Sequence, residues 1–246
     1  MTEPPDPTRY GREWAADYDR FEEADPAAVA RLVRLAAGRP LLEVAAGTGR
    51  LALPLAEAGV PVTASDISPE MVEVLRGKDV RGLVTTRVES MAALQDGAFG
   101  VIVNAANSIW MLTTAQLQQE AIRSAAAHLE PGGHVVVEMG TIRPEPLVGE
   151  TRMEWAPGVL VTQWRSYDPV TQRVTYRHTM PDGQQRVTEL RWLTVPELLV
   201  LAAAAGLAVE RVERGWSGEP LAEGEEPRPG ETTVVVLRRP SDPSER

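Results

Sequence analysis

Residues 41–50, LLEVAAGTGR, constrain this chain more than any other stretch. A short apolar run carries one carboxylate, Glu43, and breaks at Ala45 into a small-residue turn built on Gly47 and Gly49. The following RLALPLAEAG has helical character and stops at Gly59. A strand that feeds straight into a helix commits the chain to a crossover and to a parallel neighbour. The next hundred residues supply those neighbours. VPVTASD, LVTTRVE, FGVIVNAA and HVVVEM are further strands. Ser68-Pro69 caps and begins a helix through Leu75, Thr113-Thr114-Ala115-Gln116 is a capping box for a helix running to Leu129, and Pro131-Gly132-Gly133 turns the chain into the fifth strand. Alternation at this spacing predicts an α/β fold on a parallel sheet with right-handed crossovers.

The period changes at both ends of this core. Before it, Trp14, Tyr18 and Phe21 recur at helical spacing, and AAVARLVRLAAG follows Asp25-Pro26 as a second helix ending on Gly38. After residue 142, GVLVTQWRSYD, QRVTYRHTM and QQRVTELRWL alternate polar and apolar residues, parted by Asp168-Pro169 and Pro181-Asp182-Gly183, and predict a small antiparallel insert. Thr194-Val195-Pro196-Glu197 opens a closing helix that Gly206 stops; AVERVERGW and TTVVVLRR are the last strands, joined by a Glu/Gly/Pro-rich connection. The expected organisation is one domain over 9–246: a helical cap at 9–38, the core at 39–142, the insert at 143–193, and closing elements at 194–239.

A formal net charge of −10 and the absence of any Lys/Arg cluster argue against nucleic acid as a partner. No apolar run reaches the length of a membrane span, and the N-terminus lacks a secretory pattern, so a cytoplasmic protein with no membrane partner is expected. With no cysteine and three scattered histidines, no metal site is expected. Abundant Ala, Gly, Pro and Arg beside a single lysine suggest a bacterial, GC-rich coding sequence.

In open α/β sheets ligands sit beyond the carboxyl ends of the strands. Glu43 and the Gly47/Gly49 turn lie at that end of the first strand, and Asp66, suited to a ribose, at that end of the second. Gly47-Thr48-Gly49-Arg50-Leu51-Ala52 satisfies a GxGxxA dinucleotide fingerprint, so a nicotinamide cofactor competes. Glu43 opposes it, because a carboxylate repels a pyrophosphate and attracts the ammonium and sulfonium of S-adenosylmethionine, by roughly 1–4 kcal/mol at ~4 Å.

The motifs E-V-A-A-G-T-G-R, S-D-I-S-P-E-M and L-E-P-G-G-H-V-V-V-E resemble those of class I S-adenosylmethionine-dependent methyltransferases over roughly residues 10–140. The insert resembles the lid of small-molecule N-methyltransferases of the amino-sugar and glycine types. The resemblance implies a Rossmann-like parallel sheet with an antiparallel last strand. It also implies transfer of a methyl group to N or O of a small-molecule acceptor, in bacterial secondary metabolism, with S-adenosylhomocysteine as product. By the same resemblance Glu43, Ala45, Gly47 and Gly49 cradle the methionine end and ribose. Asp66 takes the ribose hydroxyls, Ile67 and Met71 lie near the adenine, and Ser90-Met91 occupies the family's Asp-Met position. Asn104 stands beside the methionine portion, and Tyr18 closes over the cofactor. Ala45 departs from the usual glycine. Ser90 departs from the usual acid, leaving the adenine amino group to a neutral partner or to Glu89. For catalysis, Glu138 at the end of the fifth strand and His178 on the inner face of the insert are the candidates to orient the nucleophile. Trp155, Trp164, Tyr176 and Trp192 would help line the acceptor pocket; the alternative acceptor site lies under the N-terminal helices around Tyr10 and Tyr18. A peptide or protein acceptor, a non-catalytic S-adenosylmethionine-binding protein and a homodimer remain open.

Overall fold

The computed structural model describes residues 6–20, 24–142, 148–156, 158–222, 225, 228 and 231–241. Five strands run parallel: β1 (Leu41–Val44), β2 (Val62–Asp66), β3 (Val84–Val88), β4 (Phe99–Asn104) and β5 (Leu129–Met139). The four insert strands are β6 (Val148–Ala156), β7 (Val159–Asp168), β8 (Arg173–Thr179) and β9 (Gln185–Arg191). The closing strands are β10 (Ala208–Arg214), the two-residue β11 (Glu219–Pro220) and β12 (Thr233–Arg238). The central sheet has the order β11-β10-β12-β5-β4-β1-β2-β3, with β12 antiparallel to both neighbours; β6 to β9 form a separate antiparallel meander.

Both faces of the central sheet are buried, which is why its strands are apolar without a break. Leu42, Ile102, Val135, Val137 and Leu237 point to one side, towards α5 (Ala115–Ala127) and α6 (Val195–Ala204). Leu41, Val101, Val103, Val136 and Val236 point to the other, towards α2 (Pro26–Ala36), α3 (Ala52–Glu57) and the Leu75 side chain of α4 (Pro69–Lys78). Asp25, Ser68 and Thr194 each cap a helix by accepting a backbone N–H, as their positions before α2, α4 and α6 suggest.

Several local expectations shift. The N-terminal stripe is not one helix: α1 (Arg9–Trp14) ends at Trp14, and Tyr18 begins a 3₁₀ turn, Tyr18–Arg20. Beyond the helix Asp17 is drawn to Arg186 and Asp19 to Lys78, in different parts of the molecule; Phe21 lies outside the described residues. The cap of α5 is Thr114, one position later than expected, bonded to the Leu117 N–H. Glu197 does not complete the Thr194 capping box, because its carboxylate is engaged by Arg191 and Gln172. Pro131-Gly132-Gly133 is an irregularity within β5 rather than a turn before it, the register passing from Phe99↔Leu129 to Val101↔His134. The insert also has a fourth strand, β6. Its Glu150, Arg152 and Glu154 alternate with side chains that are themselves exposed, so no apolar period announces it.

Candidate active site

The turn after β1 is a left-handed sequence of residues: Ala45 has φ +51°, Gly47 +56° and Gly49 +87°. Ala45 therefore adopts the conformation that the departure from glycine made costly, at about 1–2 kcal/mol. Gly49 is constrained by space as well, since a Cβ there would lie 2.4 Å from Cδ1 of Leu75 on α4. Asp66 braces the turn. Its Oδ2 accepts the Gly47 N–H at 2.9 Å and its Oδ1 the Ser68 N–H at 2.9 Å, and burial raises its pKa against these hydrogen bonds.

A cavity opens over this turn. Ala45, Gly47 and Asp66 line it from the sheet side, Ile67, Met71 and Met91 from an apolar wall, and Ser108 and Met111 from the loop after β4. The N-terminal segment covers it with Pro7, Tyr10, Gly11 and Tyr18. Gly11 permits this cover: a Cβ there would overlap Ser68 Oγ at 2.1 Å, so α1 rests directly on the start of α4. The Tyr18 ring lies on the turn, with Cε1 3.5 Å from where a Gly47 Cβ would stand.

Seven of the residues expected to hold the cofactor thus border one cavity: Tyr18, Ala45, Gly47, Asp66, Ile67, Met71 and Met91. The others stand behind it. Gly49 packs the turn onto α4. Glu43 is buried beneath the turn, close to Arg50 and hydrogen-bonded by the Ala52 backbone N–H; burial raises its pKa to about 8. Asn104 accepts the Ile109 N–H and donates to the Met91 sulfur, which fixes the loop carrying Ser108 and Met111. Ser90 Oγ accepts the Ala92 N–H, while neighbouring Glu89 is buried with Oε2 on the Gln95 N–H and Oε1 unbonded.

The two candidates for nucleophile orientation do not line this cavity. Glu138 spends both oxygens, Oε2 on the Ala106 N–H and Oε1 on the Trp216 indole, each at 2.8 Å. It braces the loop after β4. His178 is buried between the insert and α1, stacked on Tyr176, edge-on to Trp14 and 2.8 Å from Gln163 Nε2. Burial first, then the nearby Arg186, lowers its pKa to about 4, so the ring is neutral at physiological pH. Trp164 lies under Arg177, and Trp192 packs on Tyr167; the Trp155 side chain lies outside the described residues.

Beside the first cavity lies a larger cleft of about 500 Å³. Pro7, Tyr10 and Met111 line both. Its remaining walls come from Thr113, Thr114 and Leu117 and from the insert residues Arg173, Val187, Thr188 and Glu189. Ion pairs hold the N-terminal segment between these spaces. Asp19 takes Lys78 at 2.8 Å and the Thr48 hydroxyl at 2.5 Å, and Asp17 takes Arg186 at 2.7 Å, whose guanidinium lies 4.5 Å from the Trp14 ring centre. Sequence reasoning missed Asp17, Asp19, Arg186 and Glu189. The one available signal was Lys78, the only lysine in the chain.

The site's chemistry fits S-adenosylmethionine. Asp66 faces the cavity for a ribose, an apolar wall suits an adenine, and buried Glu43 keeps Oε2 without a hydrogen bond, so a nearby cation would be welcome. Comparison with known proteins agrees. Residues 41–133 match the family described as a methyltransferase domain. The cypemycin N-terminal methyltransferase of a Streptomyces species is 28% identical over 214 residues, covering 82% of this chain and 84% of that protein. Among solved structures, the CcbJ methyltransferase of Streptomyces caelestis is 28% identical with a TM-score of 0.82, covering 96% of this chain and 100% of that one. The glycopeptide N-methyltransferase MtfA, solved with S-adenosylmethionine, is 25% identical with a TM-score of 0.60, covering 88% and 95%.

Proposed function

Since the chain is a class I S-adenosylmethionine-dependent methyltransferase, we propose that its acceptor is a small molecule, methylated on N or O, that occupies the cleft beside the cofactor cavity. The observation that carries this reading is the shared border: Pro7, Tyr10 and Met111 line both spaces, so a ligand in one abuts a ligand in the other. About 500 Å³ is the size of a small-molecule site rather than of a macromolecular groove. A place in bacterial secondary metabolism accords with the cypemycin and CcbJ relatives, both from Streptomyces.

S-adenosylmethionine, when bound, supplies an electrophilic methyl group that an acceptor lone pair attacks in line, leaving S-adenosylhomocysteine. The chain's own residues position the two partners. Asp66 and the Gly47 turn hold one, Tyr10 and Met111 flank the junction where it meets the other, and the N-terminal segment covers the cavity. Orientation of this kind is worth effective molarities of about 10⁵–10⁸ M. Glu138 and His178 act as structural supports in this reading, and no base in the cleft is required for a neutral amine.

The test is transfer of methyl-labelled S-adenosylmethionine to a panel of amines and phenols, with label followed into low-molecular-weight product and into protein. Label in small product supports the reading. Label only in peptide or protein would replace it by a macromolecular acceptor, towards which the cypemycin and glycopeptide relatives point. Binding of the cofactor with no S-adenosylhomocysteine formed with any acceptor would indicate a non-catalytic binder.

A further inference from the structure

Four charged residues line the outer cleft: Asp6, Arg9, Arg173 and Glu189. Three already have opposite charges beside them. Asp6 takes Arg12 at 2.7 Å together with Thr8, Arg9 donates to Glu13 at 2.6 Å, and Arg173 faces Asp168 across the β7–β8 hairpin. Glu189 has no ion pair and no side-chain hydrogen bond among the described residues. It is half-buried on the insert wall beside Val187, Thr188 and the Asp168-facing Arg173.

The backbone around Glu189 adds to this. Strand β9 is the edge of the insert sheet. Met180 N–H bonds to Gln184 C=O and Trp192 N–H to Gln172 C=O, which places the hydrogen-bonded pairs of the β8–β9 ladder at even-numbered residues of β9. Val187, Glu189 and Arg191 therefore direct their peptide groups off the open edge. The Arg191 carbonyl accepts from Gln118 Nε2 at 2.9 Å on that side, in agreement. The N–H and C=O groups of Val187 and Glu189 lie on the same edge, and both residues line the cleft. Beside them the Glu189 carboxylate is the one charge lining the cleft with no opposite charge beside it among the described residues. An ammonium carries the charge opposite to that carboxylate, and its remaining N–H donors can be taken by the edge carbonyls. A hydroxyl offers one donor, and an anion is repelled.

We propose that Glu189 is a specificity-determining residue that holds a protonated amine on the open edge of β9, so that the acceptors of this enzyme are small molecules carrying a cationic nitrogen. The proposal rests on the reading of the outer cleft as the acceptor site and narrows its substrate class. Glu189 acts in recognition; the transferred methyl goes to a neutral nucleophile of the same molecule nearer Tyr10 and Met111.

The experiment measures binding to the full-length protein saturated with S-adenosylhomocysteine. The probes are phenethylamine, tryptamine and cyclohexylamine, each beside the alcohol of the same skeleton: phenethyl alcohol, tryptophol and cyclohexanol. At least one amine should bind about tenfold or more tightly than its alcohol, the scale of one charge-assisted contact. Glu189→Gln, nearly isosteric and on an edge strand, should abolish that preference, Glu189→Asp should keep part of it, and S-adenosylhomocysteine affinity should not change in either. Parent protein that binds no amine more tightly than its alcohol, or a preference that survives in Glu189→Gln, overturns the proposal. Val187→Trp separates this failure from failure of the cleft reading. It should exclude amines and alcohols alike, and probes that bind the Trp variant as they bind the parent would show that the acceptor site lies elsewhere.

Discussion

The cavity over the Gly47 turn and the larger cleft proposed for the acceptor meet at Tyr10, yet they are built by opposite means. The first is largely backbone: a left-handed turn, two peptide N–H groups collected by Asp66, and glycines where α1 and α4 come close. The second is side chains from three segments remote in sequence, around residues 6–10, 111–117 and 173–189. A backbone cradle tolerates few substitutions and needs consecutive residues, so it is written as a motif. A cleft assembled across the fold needs no fixed spacing. It is therefore free to take new side chains while the cradle stays as it is.

The largest effect should come from breaking the cradle at its tightest point. Gly49→Val places a branched side chain at φ +87° and against buried Leu75. Left-handed strain and overpacking each cost about 1–3 kcal/mol. We expect S-adenosylhomocysteine binding to fall below detection by calorimetry and the thermal midpoint to drop by several degrees. Near-normal binding would show that the turn is more pliable than its geometry implies. Asp66→Ala comes next. It removes a ribose partner and frees the Gly47 and Ser68 N–H groups, so affinity should fall roughly tenfold or more with the fold intact. In the acceptor cleft Val187→Trp should do the reverse, blocking acceptors while sparing the cofactor.

Glu43 sharpens the contrast through pH. Its pKa rises from 4.5 to about 8 on burial, so the native state keeps a proton that the unfolded chain releases. The resulting stability is fully present below about pH 4.5 and is lost as pH rises through about 8. Glu43→Gln removes this dependence, and its melting temperature relative to the parent should increase by several degrees between pH 5 and pH 8. The same variant should bind S-adenosylmethionine more weakly. In the parent, a bound cation favours the carboxylate, so binding below pH 8 should release a proton, measurable as a buffer-dependent heat. Equal heats in buffers of different ionisation enthalpy would place Glu43 outside the cofactor's electrostatic reach.

The contrast also explains what could be read in the sequence. The parallel core strands, the capped helices and the turn were legible because buried parallel strands are continuously apolar and because Ser68-Pro69 and Asp25-Pro26 punctuate unambiguously, whereas the order of the strands comes only from the structure. Gly47 and Asp66 stood out because they follow or end β1 and β2, whereas Tyr18 and Met71 came from the family resemblance alone; all four border the inner cavity. Strand β6 was hidden, since an exposed edge strand of alternating charges has no apolar face. Glu189 was hidden for a different reason: that it makes no ion pair among the described residues shows only in the packed structure. Asp17 and Arg186 are 169 residues apart, and neither carries a local sign of the other.

The smallest effect on catalysis should come from His178, although it is among the most conspicuous polar residues of the insert. Its ring is neutral, buried between Tyr176 and Trp14, and absent from the walls of both cavities. His178→Phe keeps the aromatic packing and loses the contact with Gln163, so turnover at about pH 7.5 should stay within roughly threefold of the parent. Stability should respond where catalysis does not. The folded pKa of about 4 lies below the unperturbed 6.5, so the unfolded chain takes up a proton that the native state refuses. The neutral ring's contribution is fully present above about pH 6.5 and is lost as pH falls towards 4. Urea midpoints at pH 7.5, 5.5 and 4.5 should therefore show the parent losing ground to the Phe variant as the solution is acidified. If turnover instead fell a hundredfold with cofactor affinity intact, His178 would belong to the acceptor's chemistry. The insert would then have to move on binding to present it, and the two regions would not be as separable as their construction suggests.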